Sequence, residues 1–267
     1  MDHSEKVSWL IRELKKENPG YAALREPVDE KERRRLLRSL MNVRWPGEVS
    51  AEFLRVQDEL LQEELRARGI VHGDALPVIR DEYACTAVKN DDRIVLWRGD
   101  ITTLEVDAIV NAANSQMLGC FVPCHGCIDN VIHSAAGIQL RNECAQLMEA
   151  QGHEEPAGRA KITKGYNLPA RHVIHTVGPV VGQQVTERQK EELASCYRSC
   201  LKLAEKSGLK SIAFCCISTG EFHFPGKLAA RIAVDVTDRY LSGSAIQRVI
   251  FDVFKEEDLH IYQKLFQ

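Results

Sequence analysis

Cys120, Cys124, His125 and Cys127 fall within eight residues, in the run Gly119-Cys120-Phe121-Val122-Pro123-Cys124-His125-Gly126-Cys127-Ile128-Asp129. Thiolate and imidazole are the ligands zinc prefers, and a loop can wrap them around one ion. Cys120, His125 and Cys127 are the expected ligand set. Turning the neighbours Cys124 and His125 toward one ion cramps the backbone, so Cys124 is read as a bystander. Three protein ligands leave a position for water or substrate, the arrangement of catalytic zinc. Two other readings stay open on residue types alone: a knuckle that only holds the loop, and buried thiols without metal. Asp129 is either an acid, base or hydroxyl-positioning group beside the ion, or an acidic first-turn residue favoured by a helix dipole.

From about Asp92 onward, short β-branched runs alternate with longer helical patterns. Strands are expected at Arg93–Trp97, Asp107–Asn111, His172–Thr176, Ser211–Ile217 and Val249–Val253. The near-continuous apolar run from Ser211 is what a strand covered on both faces requires. Helices are expected at 129–148, 186–206, 226–240 (with Leu228, Ile232, Val236 and Tyr240 in register) and 256–266. This is an α/β pattern: a mixed, mostly parallel central sheet flanked by helices. Ligands of such sheets bind outside the carboxyl ends of the strands. Gly99-Asp100-Ile101-Thr102, Asn111-Ala112-Ala113-Asn114 and Ser218-Thr219-Gly220-Glu221-Phe222 all lie in loops at those ends. Small residues there let backbone N–H groups approach a phosphate, although tight packing accounts for most such loops.

Residues 1–85 differ in texture and are expected to form a helical extension ahead of an α/β domain at 86–267. Mixed charge is dense, and apolar residues recur at helical spacing: Val7, Leu10, Ile11 and Leu14, then Leu36, Leu37, Leu40 and Met41, then Phe53, Leu54, Leu60, Leu61 and Leu65. Three such helices make a thin bundle that leans on the remainder for burial. Arg33-Arg34-Arg35 reads as a solvated helix face. The chain of 267 residues has a formal net charge of -3, which argues against general nucleic-acid packaging. No stretch is apolar enough to span a bilayer, and the first residues lack the layout of a secretion signal. Nine cysteines in that context suggest thiols, some binding metal, in a soluble cytoplasmic protein.

Several ordered motifs carry a resemblance. Gly99-Asp100-Ile101-Thr102, Val106 through Asn114, Ile132-His133-Ser134-Ala135-Ala136-Gly137, Gly165 through Pro169, His172 through Pro179, Ser218-Thr219-Gly220 and Phe224-Pro225 together resemble a hydrolytic macrodomain. The likeness runs from about Ile94 to the C-terminus. Hydrolytic macrodomains usually carry a triple-glycine loop before the Asp, and here Cys120 to Cys127 replace it. That replacement and the helical extension resemble the microbial zinc-containing macrodomains.

The resemblance implies binding of ADP-ribose, a Zn²⁺ cofactor, and removal of single ADP-ribosyl groups from Asp and Glu side chains of proteins. A lipoyl-carrier protein modified by a sirtuin-like transferase is the substrate it suggests, with no nucleic acid or membrane as partner. It also implies roles. Asp100 and Ile101 match the adenine-contacting pair, and Phe254 matches the aromatic beside adenine, with a core position as its rival reading. Asn114 matches the residue near the distal ribose and, with Asp129, is expected to be catalytic; Asn111 braces the loop. Cys127 and Ile128 are expected to contact ADP-ribose. Ser218, Thr219, Gly220, Glu221 and Phe222 match the phosphate-and-ribose loop, although Glu221 and Phe222 depart from the residue types common there. His133, His172 and His175 are assigned to packing and hydrogen bonding. Two rival functions remain: a non-enzymatic ADP-ribose reader and an ADP-ribose 1″-phosphate phosphatase.

Overall fold

A computed structural model describes residues 1–83 and 86–267. The helical extension comprises α1 (His3–Glu17), α2 (Glu30–Val43) and α3 (Ala51–Arg68). Asp2, Asp29 and Ser50 cap these helices by accepting from the backbone N–H three residues on, and Asp2 forms a full capping box with Glu5. The predicted apolar faces close on one another: Val7, Leu10, Ile11, Leu14, Leu37, Leu40, Met41, Phe53, Val56 and Leu60 form one core with Ile138 of the α/β part. Arg34 donates two hydrogen bonds to Glu64 across α2 and α3, and Arg33 reaches Ser4 at 2.5 Å. Two members of the basic run therefore tie the bundle together instead of facing solvent, and only Arg35 is exposed.

A link of short elements follows: β1 (Val71–His72) and α4 (Ile79–Glu82). The expected boundary between 85 and 86 falls beside Ala84 and Cys85, outside the described residues. Next come β2 (Ile94–Arg98), β3 (Leu104–Glu105), β4 (Ala108–Ala113), α5 (Ile128–Ala136), α6 (Ile138–Gln151), β5 (Ala160–Lys164) and β6 (His172–Val177). The chain closes with α7 (Glu187–Lys206), β7 (Ser211–Phe214), α8 (Gly226–Leu241), β8 (Arg248–Val253) and α9 (Glu256–Phe266). The sheet order is β2-β8-β7-β4-β6-β5, parallel except for the antiparallel edge strand β5. β1 pairs with β3, stitching the link to the domain.

Three expectations are corrected. The helix over 129–148 is two helices, broken at Gly137, whose φ is +92°. A Cβ there would lie 2.6 Å from the Gln57 amide nitrogen, so glycine is what lets α3 approach. The Leu228/Ile232/Val236/Tyr240 stripe of α8 is only half-buried; Ala229, Ala230, Ala233, Val234, Thr237 and Leu241 form the buried face. The strand from Ser211 stops at Phe214, and the buried Cys215 and Ile217, with a half-buried Cys216 between them, continue toward a loop.

β4 lies between β6 and β7. The chain leaves β4 for the β6 side and returns through β7 toward β8, so the carboxyl ends of β4 and β7 sit together where the order reverses. A crevice opens at such a switch point. Met117 and Cys124 after β4, and Ser218 and His223 after β7, all adopt positive φ. Strained backbone is thus concentrated in the two loops that border this crevice.

Candidate active site and metal centre

Cys120, His125 and Cys127 come together: their ligand atoms all lie within 4.8 Å of one another. Cys120 Sγ is 3.6 Å from His125 Nδ1. Zinc bonds of roughly 2.3 Å to sulfur and 2.0 Å to nitrogen at tetrahedral angles give a separation of about 3.5 Å. The donor set and its spacing therefore fit zinc. Burial pushes the Cys127 thiol up to about 12, and the neighbouring Cys120 sulfur adds to the shift against the hydrogen bond from the Asn130 N–H. A cation is what would let both sulfurs carry charge. Cys124 turns away, with its sulfur 3.4 Å from the Arg35 carbonyl. His125 Nε2 faces the Glu221 carboxylate at 3.6 Å, leaving Nδ1 toward the sulfurs. A carboxylate behind a ligating histidine fixes its tautomer and raises its basicity.

Cys127 is also the N-cap of α5, accepting from the Asn130 N–H at 3.4 Å. One helical turn therefore joins the ligand set to Asp129, which is 5% exposed. Burial pushes the Asp129 carboxyl up to about 6, opposed by the Asn111 hydrogen bond and the Arg141 guanidinium. Asn111, on β4, donates to Asp129 Oδ1 at 2.8 Å and lies 3.1 Å from His175 Nδ1. His175 Nε2 in turn meets Thr163 Oγ1 at 2.9 Å. This buried chain holds Asn111 as a brace for Asp129. His133 Nε2 lies 3.5 Å from Asp129 Oδ1. Burial drives both imidazoles well down, to about 3 for His175, so they stay neutral. His172 Nδ1 is 3.3 Å from the Asp107 carbonyl, at the other end of β6.

Asn114 is occupied in shaping its own loop. Its Oδ1 accepts from the Gln116 and Met117 N–H groups at 3.0 and 3.2 Å, and its Nδ2 donates to the Gly119 carbonyl at 3.2 Å. Ile128 is half-buried at the start of α5. Across the crevice, Ser218 is 6% exposed and its hydroxyl has no partner. A Cβ on Gly178 would sit 1.9 Å from that hydroxyl. Thr219 donates to the Cys216 carbonyl, Phe222 accepts from the Val181 N–H, and Gly220 and Glu221 are exposed.

At the far end, Asp100 accepts from the Thr102 N–H and hydroxyl through Oδ1 and from Arg68 through Oδ2 at 2.8 Å. Arg68, in the last turn of α3, is a contact the sequence did not signal, because it lies thirty-two residues away. The Ile101 side chain is 2% exposed and belongs to the core, so only its backbone is left to meet a ligand. Phe254 is 80% exposed, against the core reading. Asp252, also unforeseen, is a buried carboxyl beside Asp100; burial and that neighbour push it well up.

A Macro domain family model matches residues 110–233. Over 267 residues, 99% of both chains, the sequence is 53% identical to a protein-ADP-ribose hydrolase of Treponema medium. This chain belongs to the macrodomain family. It is also 44% identical to a protein-ADP-ribose hydrolase of Staphylococcus aureus (strain MRSA252), over 98% of this chain and 95% of that one. A crystal structure of a Trypanosoma brucei macrodomain in complex with ADP-ribose aligns with a TM-score of 0.65 at 34% identity, covering 85% of this chain and 94% of that one. Of the motifs that carry the likeness, Gly99–Thr102, Asn111–Asn114 and Ser218–Gly220 sit at or beyond the carboxyl ends of β2, β4 and β7. Among the described residues every cysteine is a free thiol, and no helix is long and apolar enough to cross a membrane.

Proposed function

We propose that this chain is a protein-ADP-ribose hydrolase that releases ADP-ribose from Asp and Glu side chains, with zinc held by Cys120, His125 and Cys127. The full-length relatives carrying that activity in their names support the hydrolase part. The observation that carries the metal part is the convergence of the three ligand atoms one helical turn from a buried carboxyl. Zinc on this set supplies a Lewis acid that orients the distal ribose or acidifies a water, and two thiolates already balance its charge.

The chain's own groups do the rest. The exposed Phe254 ring and the Asp100 carboxylate frame the adenine end. The strained loop from Ser218 to Phe222 offers backbone N–H groups and the unpartnered Ser218 hydroxyl to the diphosphate. Asn114 sets the shape of the loop that carries the ligands. Asp129, aligned by Asn111, accepts a hydrogen bond from the attacking water and takes its proton as the water oxygen bonds to the anomeric carbon and the side-chain carboxylate leaves with the electrons of the broken C–O bond; a ribose hydroxyl is the other group it can hold. Glu221 faces His125 from the opposite loop, close enough for its charge to act on the imidazole across the crevice. A lipoyl-carrier protein modified by a sirtuin-like transferase is the substrate favoured by the likeness to zinc-containing macrodomains.

The deciding experiment pairs metal analysis with release assays on Asp/Glu-linked, Ser-linked and Arg-linked mono-ADP-ribosyl proteins. The expected result is one zinc per chain and release from the acidic linkage alone, lost on chelation and regained with zinc. Binding without release selects the reader function. Phosphate release from ADP-ribose 1″-phosphate with no preference for protein selects the phosphatase.

A further inference from the structure

The loop that bears the ligands is poorly restrained by itself. From 118 to 126 it makes one internal backbone hydrogen bond, from the His125 N–H to the Val122 carbonyl at 3.2 Å. Its remaining restraints come from outside: Asn114 donates to the Gly119 carbonyl, Arg141 donates to the Cys120 carbonyl and lies over the Phe121 ring, and a further set comes from α2 and from Asn130, which α2 holds. Arg38 donates through Nη2 to the His125 carbonyl at 2.9 Å and to Asn130 Oδ1 at 2.7 Å, and through Nε to Ser134 Oγ at 3.2 Å. Asn130 passes the restraint on, donating to the Val122 carbonyl at 2.9 Å and the Cys120 carbonyl at 3.4 Å. Asn42 Oδ1 accepts from the Cys124 N–H at 2.9 Å, holding that residue at its positive φ of 53°. Asn42 is 2% exposed, and its amide nitrogen is anchored on Ser134. Two side chains of α2 thus fix backbone atoms at 122, 124 and 125, directly or through one neighbour. Arg141 of α6 locks α2 in place by donating to the carbonyls of Met41, Asn42 and Arg44.

We propose that Arg38 and Asn42 are positioning residues that hold the Cys120–Cys127 loop in its metal-ready shape, making the helical extension a working part of the metal centre. This rests on the zinc reading above. A loop free to sample other shapes binds metal only in the fraction of time it is competent, and apparent affinity falls by that fraction. A clamp present before metal arrives removes that loss. The forked guanidinium suits the task because one planar group meets a carbonyl, an amide oxygen and a hydroxyl at once.

The test measures zinc affinity of the full-length protein by competition with a chromophoric chelator, with zinc alone as the probe. Arg38→Ala is expected to weaken zinc binding about 10- to 100-fold, the range for groups that support metal ligands. At saturating zinc its turnover returns to that of the parent protein. Arg38→Lys, which keeps the charge but loses the fork, weakens binding by a smaller factor and carries the test if the alanine variant does not fold. Arg34→Ala, which cuts an ion pair inside the bundle, leaves zinc affinity unchanged. Parental affinity in both Arg38 variants overturns the clamp and leaves the zinc reading standing, as does equal weakening in Arg34→Ala. A parent protein that binds no zinc overturns both.

Discussion

Asp129 owes its character to what surrounds it. The cluster spacing announced the residue, but the groups that set its behaviour, Asn111, His175 and Thr163, come from three different strands. Asp129→Asn keeps the shape and removes the base. Turnover on an Asp/Glu-linked substrate is expected to fall by about 10²–10⁴-fold, with a much smaller loss of ADP-ribose affinity; single-turnover assays and calorimetric titration separate the two. Phe254 offers a cleaner case, because a side chain 80% exposed contributes almost nothing to the core. Phe254→Ala should leave the melting temperature in place and cost about 1–3 kcal/mol of ADP-ribose binding, the range for a base stacked on an aromatic ring. Unchanged affinity would mean that adenine lies elsewhere. At Gly178 the added methyl of Ala would press into the Ser218 hydroxyl and Ile217. Gly178→Ala is therefore expected to cost about 1–3 kcal/mol of stability in thermal unfolding and to weaken diphosphate binding with it.

At the scale of elements, legibility followed the strength of the local signal. α7, α8 and α9 lie within one residue of their expected spans, because apolar periodicity runs through all three and a Thr186 capping box marks the start of α7. β5 was invisible for a physical reason: an antiparallel edge strand with Lys161 and Lys164 shows no buried run. The break at Gly137 was hidden because Ala135, Ala136 and Ile138 keep the apolar pattern going across it. The inward face of α8 was misread because its large residues suggested a core stripe, whereas its small ones are what lets a helix lie close on a sheet. The convergence of Cys120, His125 and Cys127 was legible from their spacing, whereas Asp129 kept two readings until the fold buried it beside Asn111. Arg38, Asn42 and Arg68 were not legible, since partners 32 to 92 residues away leave no local pattern.

The same ladder of contacts makes an element-scale prediction for α2 and α3. Burial raises the Glu64 carboxyl, but hydrogen bonding and charge from Arg34, then His3, outweigh it and leave it below the ordinary value. A lowered folded-state value means stability present above the unfolded carboxyl range, about 4.3, and lost as pH falls through the folded value. Glu64→Gln should cost about 1 kcal/mol at pH 7 and flatten the acid limb of a denaturant-melt series below pH 5.

At the scale of the whole molecule, the decisive fact is that the bundle and the α/β part share both a core and a polar seam. Ile138 closes the bundle's apolar cluster, Gln57 accepts from its backbone N–H at 3.0 Å, and Gln62 and Asp58 reach Asn167 across the same boundary. Arg141 is 5% exposed; the nearby Asp129 carboxylate offsets part of the cost of burying it, and the carbonyls of Met41, Asn42 and Arg44 supply acceptors only while α2 is docked. Burial lowers its value only to about 10, so it keeps its proton at neutral pH. Undocking would take away three acceptors of Arg141 and the Arg38 and Asn42 contacts to the 118–126 loop together. The metal-free protein is therefore expected to melt in a single calorimetric transition whose van't Hoff and calorimetric enthalpies agree. Arg141→Ala, which removes the tie to α2, should lower that transition and split it, the bundle melting first. Two resolved transitions in the parent protein would show that the helices ride on the domain without being part of it.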